Sequence, residues 1–373
     1  MMKKLTVLLL ALSLFLIFPL TAYCTDETES LQDVEENFFS GLDGEVYDLL
    51  EGFGLDKLDA ESFFTDGTEN IKAYFTDTLK EKLQQASSWF FLGAGIVMLL
   101  SIISSAFDFA ASGDAFTLFA SAVICLITVG KISSFLNCVL SCMALNGKLM
   151  LSFIPVFALL ISLSGNPASA LTYNSFLLFF CEGMSFFLDN IFVGVVGVYF
   201  SLSVGFAFNS NINLNRFTNG ANRIFTLVLS FCGTLFTAVL SLKNILAVAT
   251  DSLSVKGVRF LLGSLVPVIG PSLSEAYSSV LGSINLMKSS LAVLGIFALV
   301  IINIPALTEG VIYFFLMTVL SCFAEITGLY RVSELFRSLA SCVKLLLIVC
   351  LFQVFILIIS IGVMLTLRGG AGG

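Results

Sequence analysis

Eight carboxylates, those of Asp108, Asp114, Glu182, Asp189, Asp251, Glu275, Glu309 and Glu325, have the type and setting to do chemistry, because each lies in or beside a long apolar run. A charge held at membrane depth costs about 2.5–3.5 kcal/mol on insertion scales, so one kept there faces the interior or a partner of opposite sign. Glu182 is the leading candidate for a buried acid, since it stands mid-run with apolar residues on both sides, and Asp189 is the second. Asp189-Asn190 and Glu309-Gly310 read as tight turns between adjacent helices. Glu275 follows Lys256 and Arg259 closely enough in sequence to face either.

Those acids have few partners for catalysis. Histidine is absent, which removes the commonest general base and metal ligand together. No Gly-x-Gly-Asp stretch supports an intramembrane aspartyl protease, no glycine-rich phosphate motif is present, and no basic patch suits nucleic acid. None of the nine cysteines has C-x-x-C spacing, and all but Cys24 sit in or beside apolar runs, where a thiol behaves as a small hydrophobe. An enzyme is the least favoured class, and no cofactor or metal is implied.

The elements that position these residues are set by composition. Of 373 residues, 57% are hydrophobic and 12% charged, and mean hydropathy is +1.00, far from the soluble norm of about 25% charged. This is an all-α, polytopic membrane chain with a small helical acidic region at its N-terminus. Lys3-Lys4, an apolar run and Ala22-x-Cys24 make residues 1–24 a signal peptide, cleaved after Cys24; an uncleaved anchor and a lipoprotein signal at Cys24 are alternatives. The net charge of −8 is concentrated just after it, for residues 25–88 hold 17 acidic residues against four lysines. This exported region ends in an amphipathic helix: Ile71, Tyr74, Phe75, Leu79, Leu83 and Ala86 recur at helical steps, and Asp66-Gly67-Thr68-Glu69 supplies its start. Trp89 follows as an interfacial anchor.

From 89 to 367 the chain is a transmembrane domain, with residues 368–373 as a flexible tail. Apolar runs fall at 89–107, 115–136, 149–163, 170–188, 190–208, 224–242, 260–271, 289–307, 310–323 and 344–367, which allows eight to ten crossings. Two are short and carry an internal proline, Pro155 in one and Pro267 in the other, and proline removes a helical hydrogen bond. Sliding the chain by 112 residues superposes these prolines and the runs that follow, so about 140–245 and 252–357 read as an internal duplication. Paired broken segments point to a transport or binding site. Irregular backbone at membrane depth must be buried or line a cavity. Pro155, Arg259, Gly263, Pro267, Gly270, Pro271 and Glu275 are therefore the candidate conduit or interface. Placing the loops with Arg216, Arg223, Arg331 and Arg337 in the cytoplasm favours ten crossings and an outside C-terminus.

The stretch Leu262-Gly263-Ser264-Leu265-Val266-Pro267-Val268-Ile269-Gly270, followed by Glu275-Ala276, Leu286-Met287-Lys288 and Leu294-Gly295, resembles the stage III sporulation protein AE family of endospore-forming Firmicutes. The resemblance runs to the end of the chain and is weakest before Trp89. It implies a permease-like subunit of the sporulation channel complex linking mother cell and forespore, needed for forespore development. The implied partners are the ATPase AA, the ring proteins AF, AG and AH, and stage II sporulation protein Q. The implied location is the mother-cell-derived outer forespore membrane, with the N-terminal region extracytoplasmic. No catalytic residues come with it. A stand-alone secondary transporter for a small solute is the alternative, motivated by the paired prolines and Glu182.

Overall fold

The computed structural model describes residues 38–55, 67–106, 113–164, 167–187, 193–207, 222–241 and 270–366, together with residues 36, 63 and 220. The signal peptide, the C-terminal tail, Arg216, Asp189, Arg259, Gly263 and Pro267 lie outside the described residues. Among the described residues the chain is helical, without strands. The helices are α1 (Gly44–Gly52), α2 (Thr68–Ala106), α3 (Gly113–Leu163), α4 (Pro167–Phe187), α5 (Val193–Ala207), α6 (Asn222–Ser241), α7 (Gly270–Ile326) and α8 (Tyr330–Thr366). Five of these, α2, α3, α6, α7 and α8, contain stretches long and apolar enough to cross a membrane.

Local chemistry sets several of the ends. Asp43 is the N-cap of α1, its carboxylate accepting from the Glu45 N–H at 3.2 Å. The helix stops where Gly54 takes φ +71°, so that Gly54 N–H reaches Glu51 O and Leu55 N–H reaches Leu50 O. The end of α7 repeats this device. Gly328 at φ +82° donates to Glu325 O, and Leu329 donates to Ala324 O, turning the chain within three residues into α8. A left-handed residue at each stop is cheap only as glycine.

The middle of the bundle is α7, whose Leu291, Ala292, Leu294, Ala298, Leu299, Ile301 and Ala306 are fully buried. α2 lies parallel to it, because Gly67 sits by Phe297, Trp89 stacks edge-on against Tyr313 at 5.9 Å, and Gly93 meets Leu320. α3 and α8 run the other way. Phe153 and Ile361 close on Gly295, while Phe135 and Leu347 close on Gly310. A Cβ on Gly295 would stand 2.7 Å from Phe153 Cε1, and one on Gly310 would stand 2.6 Å from Phe135 Cζ. These two glycines set how near the helices approach.

The structure differs from the sequence expectation in how the apolar runs are divided. The runs at 115–136 and 149–163 belong to the single 51-residue α3, and those at 289–307 and 310–323 to the single 57-residue α7. Pro155 lies inside α3, and Pro305 inside α7, without ending either helix. Glu309-Gly310 is helix rather than a turn. Each proline frees one carbonyl four residues back, a cost that packing against neighbouring helices can offset. The expected amphipathic face of α2 is only partly covered: Ala86 is buried, Ile71, Tyr74 and Leu79 are half-buried, and Phe75 and Leu83 stay exposed.

Candidate functional site

Midway along the bundle a layer of polar side chains interrupts the apolar packing. Asn146 on α3 and Asn303 on α7 form a reciprocal pair, Asn146 Nδ2 donating to Asn303 Oδ1 at 3.1 Å and Asn303 Nδ2 to Asn146 Oδ1 at 2.9 Å. Both are buried. Asn303 Nδ2 also reaches Leu299 O, and the Cys350 thiol of α8 donates to Asn303 Oδ1 at 3.4 Å. One turn further along α8, Gln353 Nε2 donates to Met143 O of α3 at 3.2 Å. Three helices are thus tied at one level by amides.

On the α2 side of this layer, Lys82 Nζ and Glu309 Oε2 are 2.6 Å apart. The Glu309 side chain is 7% exposed and that of Lys82 23%, so the acid is covered while the ammonium keeps contact with solvent. The thiols of Cys138 and Cys142 lie within interacting range of each other, and Cys350 is close to both. Cys142 and Cys350 are buried and Cys138 is half-buried. No cluster of three or more histidine, cysteine or acidic residues with metal-holding geometry occurs among the described residues.

The flank of the layer carries the acidic N-terminal segment. Lys148 Nζ bridges Asp43 at 3.2 Å and Glu45 at 2.8 Å, and Ser152 Oγ donates to Gly41 O. Beneath these polar contacts Phe38 packs edge-on against Phe153 at 5.0 Å. Val46, Leu50 and Leu55 are fully buried.

The residues singled out in the sequence are distributed differently. Pro155 is exposed on α3 one turn beyond this flank. Gly270, Pro271 and Glu275 fall in the opening turns of α7, where proline is tolerated because the first N–H groups have no helical partner. Glu182 lies on α4. The layer itself, built from Lys82, Asn146, Asn303, Glu309, Cys350 and Gln353, was not anticipated, although a polar residue inside an apolar run, such as Asn303 in Ile301-Ile302-Asn303-Ile304, is a visible sign of an interior partner.

What this layer can do is fix register and orientation between helices, since a buried amide left unmatched costs more than a matched one returns. It contains no nucleophile–base pair. The family model for stage III sporulation protein AE matches residues 54–367. The chain belongs to the stage III sporulation protein AE family. The stage III sporulation protein AE of Bacillus subtilis (strain 168) is 24% identical over 153 residues, 41% of this chain and 38% of that protein. The chain therefore matches under two-fifths of the length of this curated relative. No solved structure matches it. For a stage III sporulation protein AE family member, the layer joins α2, α3, α7 and α8, all of them inside the matched region.

Proposed function

We propose that this protein is a non-enzymatic, multi-pass component of the sporulation channel complex that links mother cell and forespore and sustains forespore development. Its partners on this reading are the ATPase AA, the ring proteins AF, AG and AH, and stage II sporulation protein Q. It would sit in the mother-cell-derived outer forespore membrane with its acidic N-terminal region extracytoplasmic, where water-facing Glu45, Asp48 and Glu51 can meet partner domains. The observation that carries the reading is the family match across 54–367. The stretch from Arg259 to Glu275, with Pro155, is the segment offered for the conduit or interface.

Affinity purification of a tagged chain from sporulating cells tests it. Recovery of AF, AG, AH or Q is the expected result; purification alone, together with normal spores after gene deletion, overturns it. The covered Lys82–Glu309 pair gives a specific reason to keep the transporter reading, because a buried acid with one partly wet partner can exchange protons or cations. Proteoliposomes that move no small solute under a proton or sodium gradient would remove that alternative.

A further inference from the structure

Two cysteines of α3 face the seam that holds the Lys82–Glu309 pair. Cys138 and Cys142 are one helical turn apart within α3, which puts both side chains on one face, and their thiols are hydrogen-bonded to each other. Lys82 of α2 and Glu309 of α7 flank Cys138, and the backbone of Ala306 on α7 reaches Cys142. Cys142 is buried, whereas Cys138 is half-buried and Lys82 keeps contact with solvent. The dithiol is thus enclosed at its Cys142 end and reachable at its Cys138 end.

The spacing sorts the chemistry open to such a pair. Helical residues at this separation hold their Cβ atoms about 5–6 Å apart. A disulfide needs about 3.5–4.5 Å, so closing one would bend α3 where Val139 and Met143 are buried in the core. Two metal–sulfur bonds of about 2.3 Å laid end to end span ~4.6 Å, which sulfurs on successive turns can bracket. Thiolates select soft ions, among them copper(I), zinc and iron–sulfur clusters. Zinc in a closed site takes four donors and a cluster four cysteines, and no third histidine, cysteine or acid completes a metal-holding group among the described residues. Copper(I), a filled-shell ion that is satisfied by two sulfurs in line, is what remains.

We infer that Cys138 and Cys142 form a binding site for a single copper(I) ion. The thiolate is the ligand, so binding exchanges Cu⁺ for the two thiol protons and leaves the oxidation states of copper and sulfur unchanged. The S–Cu–S unit carries one negative charge, and the Lys82 ammonium beside Cys138 offsets it where an unpaired charge is costly. Glu309, bound to the same ammonium, keeps Lys82 aimed into the seam. Cys350 gives its thiol to Asn303 and takes no part.

The test uses the full chain, purified in detergent without oxygen and offered copper(I) as its complex with a chromophoric chelator. Its outcome is separate from that of the sporulation role. The chain is expected to withdraw one copper ion per molecule. Cys138→Ser and Cys142→Ser should each lose that ion, while Cys322→Ser, at an exposed thiol of α7, keeps it. Excess zinc(II) should not displace it. Because either serine could loosen the packing of α3, X-ray absorption at the copper edge of the native chain supplies a second reading, and two sulfurs with no nitrogen or oxygen are expected around the metal. An adventitious ion only, retained equally by Cys138→Ser, overturns the site. So does copper surrounded by three or four sulfurs, displacement by zinc, or no withdrawal from the chelator.

Discussion

The polar layer inside the bundle and the acidic dock on its flank use the same side-chain chemistry to opposite effect. In the layer, Asn146, Asn303 and Glu309 are covered, and each is matched by a partner from another helix. On the flank, Lys148, Asp43 and Glu45 have side chains 40%, 37% and 71% exposed, so water competes for every contact. Exposed pairs contribute little to stability, whereas a buried polar group penalises any arrangement that leaves it alone. The layer therefore selects register, and the dock is held by the apolar residues under it. Substitutions can break this contrast in order of expected size.

The largest effect should come where the helices are closest. Gly310 lies next to Glu309 with Phe135 and Leu347 against its backbone, so Gly310→Leu has no room and must push α3 or α8 away, separating the layer's members. Overpacking of this kind costs typically 1–3 kcal/mol and more where backbone has to move. Loss of the monodisperse detergent-solubilised species is the expected readout. Gly233→Ala, facing only the ring of Phe352, serves as the milder control, and equal behaviour of the two would contradict the close-approach argument.

Next in size is the asparagine pair. Asn303→Leu strands Asn146 among apolar neighbours and should cost about 1–3 kcal/mol, whereas Asn146→Leu with Asn303→Leu removes both groups and should recover most of the loss. Values nearer 1 kcal/mol are expected if the unfolded reference remains in lipid, where amides find other partners. Denaturation in mixed micelles, followed by the Trp89 signal, gives the comparison. A double variant as damaged as the single one would show that the pair is not coupled.

This contrast also marks how far the sequence can be read. Hydropathy alone makes the all-helical, membrane-type character visible, and the three- and four-residue steps from Ile71 to Ala86 mark the helical period of α2. What it hides is continuity. Asn146-Gly147-Lys148 has the composition of a loop, and Glu309-Gly310 that of a turn, until their partners are known. Those partners are 157 residues away for Asn146 and 227 for Glu309. Pro155 has a clear local meaning that tertiary packing overrides. The family resemblance, by contrast, was legible before the fold, because it rests on the order of residues around Pro267 and beyond, and the family match covers that stretch.

Glu309→Gln should rank third. Glutamine keeps an acceptor for Lys82 but removes the charge, and because Lys82 is partly exposed its ammonium can turn to water. The expected cost is about 1 kcal/mol, well below the 3–5 kcal/mol of an ion stranded in a dry interior. Glu309→Ala should exceed it, since it leaves Lys82 without its acceptor and opens space beside Tyr313. Protease accessibility of the first half of α2 reports the loss, for this pair is a specific link between that half and α7. Unchanged protection in both variants would mean that the seam of Thr78, Ala86 and Trp89 holds α2 without it.

The smallest effect is expected at the flank. Lys148→Ala deletes two ion pairs at once, Lys148–Asp43 and Lys148–Glu45, but all three groups are well exposed and Lys148 keeps a long, flexible side chain in water. Thermal unfolding should not distinguish this variant from the parent at physiological salt, where exposed charges are screened beyond about 8 Å. By contrast, Leu50→Ala removes a fully buried side chain from α1 and should release the segment at a cost of about 2–5 kcal/mol. Limited proteolysis between residues 38 and 55 separates the two outcomes. If Lys148→Ala frees the segment and Leu50→Ala does not, electrostatics rather than apolar burial docks the acidic region, and the division of labour between layer and flank is reversed.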